Sequence, residues 1–336
     1  MAKIKVSLKG STHSVGRGVG YYYSNLERAL VELPEIEITD IHPDIVHYTF
    51  FDLFYPTLPF IKKLPTLVSI HDLTPLALPD LYPMGVKGTI NYLHQRLSVN
   101  NVAGVITDSQ YSKDDIHKFF NIDKSKIFVT PLAVDEIFSK PLSDKRLGEI
   151  RKKYNLPEKF ILNVPGGPNP NKNLPALAEV TKKLGLPLVI VGKGMIQEVK
   201  EPVHAELRDL VTLKKYNHII YPGFVPTDEL VGFYQLATVY CQPSLYEGFG
   251  LPLLEAMTAG SLVVSSNGTS LPEIYHSSAI VFDPWDLNSM EASLSKALSL
   301  SAKEKEDQIK AGIKRSKDFK WSETAKLTLD VYKQLL

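Results

Sequence analysis

A chain of 336 residues is long enough for two domains at the usual size of about 150 residues each. At 44% hydrophobic and 22% charged it is neither disordered nor fibrous, and it can fill sizeable cores. Lysine and arginine number 38 against 37 Asp and Glu, and this balance leaves no electrostatic footprint for nucleic acid.

In chain order, a strand is expected at Ile4–Leu8, then a polar glycine-bearing loop, Lys9–Gly20. A helix follows to about Leu33, stopped by Pro34. Strands are expected at Ile36–Thr39, Ile45–Tyr48, Thr66–Ile70, Gly104–Thr107 and Lys126–Thr130, with helices at Met84–Asn101 and Ser112–Phe120. Asp135–Lys153 reads as a charged, irregular boundary. The alternation then restarts, with strands at Phe160–Val164, Leu188–Val191, His218–Tyr221, Thr238–Gln242, Leu262–Ser265 and Ala279–Phe282. Helices are expected at Leu174–Leu184, Thr227–Leu236 and Pro252–Ala259. Strands alternating with helices give an α/β architecture built on parallel sheets. The single cysteine, Cys241, sits in an apolar run and can form neither an internal disulfide nor a Cys-based zinc site. No apolar run reaches the roughly 20 residues that span a bilayer, and no signal segment stands out. The expected location is the cytoplasm, with attachment to the inner face of the membrane left open.

The strongest local signal is PSLYEGFGLPLLEAMTA, Pro243–Ala259. A strand ends, a loop with Gly248 and Gly250 turns, and a helix starts with Pro252 near its first position. Free N–H groups at such a helix start suit a phosphate. Two carboxylates, Glu247 and Glu255, flank the turn and can accept hydrogen bonds from sugar hydroxyls. Taken singly, each also reads as a solvated or dipole-complementing glutamate.

This stretch, continued as GSLVVSS, resembles the E-x7-E signature of glycosyltransferase family 4, the retaining enzymes of the two-domain GT-B fold. Other segments resemble the family in the same order: GVGYYYSNLERAL, HPDIVHYTFF, VSIHDLTP, ITDSQYSKDDI, VTPLAVDEIF, NVPGGPNPNKNLPAL, VGKG, GFVPTDELVGFY, SSNGTSLPEI and the final WSETAKLTLDVYKQLL. The resemblance implies two Rossmann-like domains facing a central cleft: an acceptor-side domain at 1–140, a nucleotide-sugar domain at 141–315, and a helix at 316–336 that packs back on the first. It implies that Lys172, Gly20 and the backbone amides from Gly250 through Leu251 to Leu253 hold a donor diphosphate, with Gly18 a further candidate. Glu255 would bind the ribose. Glu247, Gly248 and Phe249 would position the hexose, with His71 close to it. Catalytic roles then fall to His71 and Glu247. No cofactor or metal is expected, only a nucleoside-diphosphate sugar and a saccharide or lipid-linked acceptor.

Three departures stand out. Tyr21 occupies a place where the family often has Arg. Gly166 stands where many members carry a second cation, for which Arg17 is a substitute candidate. The chain between Leu33 and Ile45 is short, which predicts a trimmed first domain, by a strand–helix unit or more. The HDLTP and NPNKNL segments resemble mannosyltransferases, so GDP-mannose is the expected donor, with UDP-glucose or UDP-N-acetylglucosamine next. Rival classes are a non-catalytic nucleotide-sugar sensor and an NAD-dependent oxidoreductase. The second rests on Asp40, twenty positions after Gly20.

Overall fold

Inner strands of a parallel sheet are covered on both faces, so they read as continuous apolar runs rather than alternating ones. Thr66–Ser69, Gly104–Thr107 and Leu188–Val191 behave this way, with every residue buried. The computed structural model describes residues 3–10, 18–199 and 207–336. The chain divides into two compact units, Met1–Ala133 with Phe319–Leu336, and Val134–Asp318.

In the first unit, β1 (Ile4–Lys9), β2 (Ile36–Ile38), β3 (Ile45–Tyr48), β4 (Thr66–Ser69), β5 (Gly104–Thr107) and β6 (Ile127–Val129) form a parallel sheet in the order β2-β1-β3-β4-β5-β6. Its helices before the linker are α1 (Val19–Val31), α2 (Thr74–Ala77), α3 (Val86–Val99) and α4 (Gln110–Phe120). Val68, Ile70, Val105, Ile116 and Phe120 share one core on the α3 and α4 side. Ser109 caps α4 by accepting from the Ser112 N–H at 3.1 Å, and Asn121 ends it in the left-handed region.

The short stretch after Leu33 keeps its strand and lacks a helix. Parallel strands in one sheet are ordinarily joined by a dozen or more residues, usually helical. Here residues 39–44 suffice, because β2 pairs with Ile4–Val6 while β3 pairs with Val6–Lys9. The loop's ends bond the same strand: the Thr39 N–H donates to Val6 O and the Asp44 N–H to Lys5 O. Asp40 is held by the Ser7 hydroxyl at 2.6 Å and by Lys9 Nζ at 2.8 Å.

The second unit restarts with α5 (Asp144–Lys153), followed by α6 (Leu174–Lys183), α7 (Arg208–Leu213), α8 (Thr227–Leu236), α9 (Leu251–Thr258), α10 (Leu271–Tyr275), α11 (Leu287–Ser299) and α12 (Ala302–Ser316). Its strands are β7 (Ile161–Asn163), β8 (Leu188–Val191), β9 (Ile219–Gly223), β10 (Val239–Gln242), β11 (Val263–Ser266) and β12 (Ile280–Phe282), in the order β12-β11-β10-β7-β8-β9. Cys241 lies fully buried with Ile161, Ile190 and Val264, and burial pushes its thiol far above its ordinary pKa.

The irregular boundary expected at Asp135–Lys153 is corrected by α5. Ser143 caps it, accepting from the Arg146 N–H, and Arg151, Lys152 and Lys153 complement its C-terminal dipole. Only Ile150 is buried in it, so no apolar stripe announces the helix. Tertiary contacts fix it instead. Glu229 on α8 accepts from Lys153 Nζ at 2.7 Å, Tyr154 Oη at 2.5 Å and Arg146 Nη2 at 3.1 Å.

The last helix, α13 (Trp321–Leu335), belongs to the first unit and packs on α1. Trp321 meets Tyr21 edge-on, with ring centroids 6.0 Å apart, so the residue at the family's arginine place helps seat this helix. Farther along, Tyr332 Oη lies 2.7 Å from His47 Nδ1. His47 Nε2 lies 2.8 Å from Ser69 Oγ, which is 2.9 Å from Tyr22 Oη. All four residues are buried, so the row is sealed from water.

Candidate active site

In the second sheet the chain starts at β7, lays β8 and β9 on one side, then returns to place β10 on the other. The order reverses between β7 and β10, and open α/β sheets bind ligands beyond the carboxyl ends of strands at such a switch. The loops leaving these two strands, 164–172 and 243–250, carry Lys172 and Glu247.

The two side chains meet. Lys172 Nζ donates to Glu247 Oε1 at 2.8 Å and Oε2 at 2.9 Å. Gln242 Nε2 at 2.9 Å and the Ser244 hydroxyl at 2.6 Å also donate to Oε1. The Glu247 backbone is fixed as well. Its N–H donates to Thr269 Oγ1 at 2.9 Å, and the Ser270 hydroxyl is shared between the carbonyls of Glu247 and Phe249. From the other loop, Asn171 Nδ2 donates to Tyr246 O at 2.9 Å. This carboxylate is therefore held in one place, only 9% exposed. An ammonium has three donors. Two of those on Lys172 face Glu247, and among the described residues the third has no acceptor, so it is open to an anion.

Gly248, Phe249 and Gly250 join Glu247 to α9. Gly250 adopts φ 119°, ψ 47°, and a Cβ built there would lie 2.7 Å from Leu271 Cδ2. Its conformation starts α9 abruptly and leaves the first N–H groups, from Leu251 on, without intrahelical partners. We expect Gly250→Ala to lower the stability of the second unit by about 1–3 kcal/mol. Chemical unfolding of wild type and variant measures this, and equal midpoints would contradict it. Glu255 is on α9, 6% exposed, and accepts from Tyr234 Oη at 2.7 Å. Gly166 has φ 78°, and its carbonyl lies 3.1 Å from where a Cβ on Gly192 would stand. An arginine at 166 would be strained in this backbone, which accounts for the glycine there.

In the first unit, Gly18 and Gly20 sit at the start of α1, Gly18 as its N-cap with φ 95°. Arg17 lies outside the described residues. His71, just past β4, has Nδ1 2.8 Å from Asp108 Oδ2 and Nε2 3.2 Å from the Thr49 carbonyl. Both partners are acceptors, so the ring is best satisfied with a proton on each nitrogen. Burial by itself disfavours the imidazolium. The Asp108 carboxylate, the Thr49 carbonyl and Asp72 outweigh it, and the pKa is raised above 6.5. Tyr22 holds the ring edge-on, with centroids 4.6 Å apart.

The sign of the linkage follows. A raised folded-state pKa gives stability that is full below pH 6.5 and lost as pH rises through the folded value. The stability difference between wild type and Asp108→Asn should therefore shrink as pH climbs above 6.5. A difference that is constant with pH would rule out a charged pair.

Residues 148–315 match the family model described as glycosyl transferases group 1, and residues 7–137 match glycosyltransferase family 4. The chain belongs to the group 1 glycosyl transferases. Among relatives of this chain is the O-antigen chain mannosyltransferase B of Escherichia coli, 30% identical over 80% of this chain and 70% of that one. The serotype-specific mannosyltransferase WbdA of Escherichia coli is 29% identical over 90% of this chain. That match covers 38% of WbdA, so the chain spans less than half of that relative's length. Among solved structures, sucrose-phosphate synthase from Thermosynechococcus elongatus superposes with TM-score 0.74 at 15% identity, covering 99% of each chain. Anabaena HepE in complex with UDP gives 0.72 at 13% identity, over 99% of this chain and 100% of that one. These likenesses show a GT-B type fold.

Sequence reasoning named Lys172 and Glu247 but missed what holds them. Gln242, Ser244, Thr269 and Ser270 are small polar residues with no spacing signal, although the last two lie in the SSNGTSLPEI segment. Asp108 was equally silent, inside ITDSQYSKDDI. Gln242 and Ser244 lie within five positions of Glu247, whereas the fold of the sheets brings Lys172, Thr269 and Ser270 to it and Asp108 to His71.

Proposed function

We propose that this glycosyltransferase moves mannose from GDP-mannose to a saccharide acceptor with retention of configuration and without a metal ion. The observation that carries the reading is the Lys172–Glu247 pair, built from the two loops at the switch point of the second sheet. The mannosyltransferase names of the relatives favour the sugar.

In this reading Lys172 and the backbone N–H groups at the start of α9, at Gly250 and Leu251, hold the diphosphate. Fixed cations and helix N–H groups aimed at developing charge need no reorganisation during the reaction. Glu255 reaches the ribose. Glu247, with the Gly248 and Phe249 backbone, holds the hexose. The bond from C1 to the diphosphate oxygen breaks while the acceptor oxygen bonds C1 on the same face. The acceptor's proton passes to the departing phosphate oxygen, so no protein nucleophile is used.

Thermal unfolding with GDP, UDP, ADP, dTDP and NAD, each in excess, tests the donor site. A nucleotide at about 100 times its Kd stabilises by about 2.7 kcal/mol. A selective rise with GDP is expected, followed by transfer from GDP-mannose in the presence of EDTA to an α-linked product. A rise with UDP alone would shift the donor to a UDP-hexose. Loss of transfer in EDTA, or a β-linked product, would overturn the mechanism.

A further inference from the structure

Helix α3 carries its polar ties on one side. Gln95 Nε2 donates to Asp52 O at 2.8 Å, and Asn91 Nδ2 donates to Phe54 O at 2.6 Å. Ser98 and Val99 are buried beside them. The other side is apolar and faces solvent. Val86 is 82% exposed, Ile90 61%, Leu93 50% and Leu97 55%. Steps of four, three and four residues put these side chains in one stripe. A surface helix of a globular domain shows the reverse, with its apolar stripe inward. The loop before β4 extends the patch. Ile61 is 78% exposed, and the Phe60 ring lies 6.0 Å from that of His94 on α3.

The segments that carry this patch are one-sided in charge. Residues 53–71 and 81–107 contain no Asp or Glu, yet carry Lys62, Lys63, Lys87 and Arg96, in a chain whose net charge is only +1. Lys62 is committed to the Ser98 carbonyl, while Lys63, Lys87 and Arg96 are exposed. Large apolar patches rimmed by polar groups mark interaction sites. An apolar stripe bordered by cations is complementary to a surface with an acyl boundary beneath anionic headgroups. A second copy of this chain would instead oppose the same cations to themselves, and like charges across an interface are disfavoured.

We propose that α3 and the loop 60–64 dock the first unit on an anionic lipid bilayer. Among the described residues no helix is long and apolar enough to cross a membrane, so the contact is with the surface layer. Ile90, Leu93 and Leu97 enter the acyl boundary, while Lys63, Lys87 and Arg96 face the headgroups. This goes beyond the proposed reaction and stands apart from it.

Flotation of the full chain with phosphatidylcholine vesicles, with and without phosphatidylglycerol, tests the surface. Recovery is expected only with phosphatidylglycerol, falling as salt rises. Each cation near such a surface contributes a factor of about five, so Lys63→Ser, Lys87→Ser and Arg96→Ser together should weaken partition about a hundredfold. Leu93→Ser should weaken it about tenfold or more. These side chains are exposed, so unchanged unfolding midpoints should accompany both results. Equal recovery on neutral vesicles, no recovery on either, or wild-type recovery of Leu93→Ser would overturn the proposal. So would a lipid-free dimer in sedimentation velocity that Leu93→Ser dissolves. None of these readouts involves the sugar donor, so this inference and the proposed reaction can fail separately.

Discussion

Glu247→Ala should lower turnover at saturating donor by about 10²–10³-fold, the loss typical of removing one group aimed at the transition state. The carboxylate accepts from Lys172, Gln242 and Ser244 at once, so its position is fixed before any sugar arrives. Two roles are separable kinetically. If Glu247 served only to hold Lys172, its loss would repeat the loss of Lys172 and add nothing to it in the double variant. If it positions the hexose, kcat falls further in the double variant than in Lys172→Ala alone. Lys172→Ala should itself raise KM for the donor and lower kcat, because charge develops on the diphosphate that it faces. Both variants break an ion pair that is largely shielded from water, with side chains 17% and 11% exposed. Unfolding midpoints must therefore accompany the rates. A folded Glu247→Ala enzyme with unchanged kcat would remove Glu247 from the site.

Acid should loosen the first unit through His47. The imidazole is fully buried between Tyr332 and Ser69, and burial, reinforced by the charge of His71, holds its pKa down at about 3. The unfolded chain takes a proton near pH 6.5, the folded chain only near 3. Its contribution to stability is therefore complete above pH 6.5 and is lost as pH falls toward about 3. The span corresponds to a loss on the order of a few kcal/mol. His47→Gln, which cannot take up a proton, should flatten that part of the profile. Trp321 packs near Tyr21 and Tyr22 in this unit, so its fluorescence reports the transition. Identical pH profiles for wild type and His47→Gln would exclude this histidine as the acid-sensitive group. The opposite slope expected for His71 shows that two imidazoles in one unit can titrate in opposing directions. His47 has lost its solvent without gaining a charged partner, whereas His71 sits against a carboxylate.

The elements were legible where one cause dominates. Ile45–Tyr48, Gly104–Thr107 and Leu188–Val191 are apolar or β-branched runs, and the observed strands have the expected bounds. Thr227–Leu236 likewise forms the expected helix, with Asp228 and Glu229 in its first turn complementing the dipole. Helix α5 was illegible because its stability comes from Glu229, far along the chain, rather than from a stripe of its own. The site was half legible. Glycines and carboxylates announce the turn at Glu247–Gly250, but a lysine such as Lys172 has no local mark of function. Its partner is 75 positions away.

The sequence by itself determined that two α/β units form, since strand and helix periodicity is a local property of the chain. It also determined the abrupt start of α9, which Gly250 and Pro252 impose through backbone sterics. Tertiary structure alone decided which distant polar groups meet. Lys172 reaches Glu247 because the second sheet reverses its order between β7 and β10. His71 reaches Asp108 because β4 and β5 are neighbours. Tyr332 reaches His47 across 285 positions because the last helix returns to the first unit. Loop closure over such distances has no local signature, and its cost is met by packing that only the finished sheets provide.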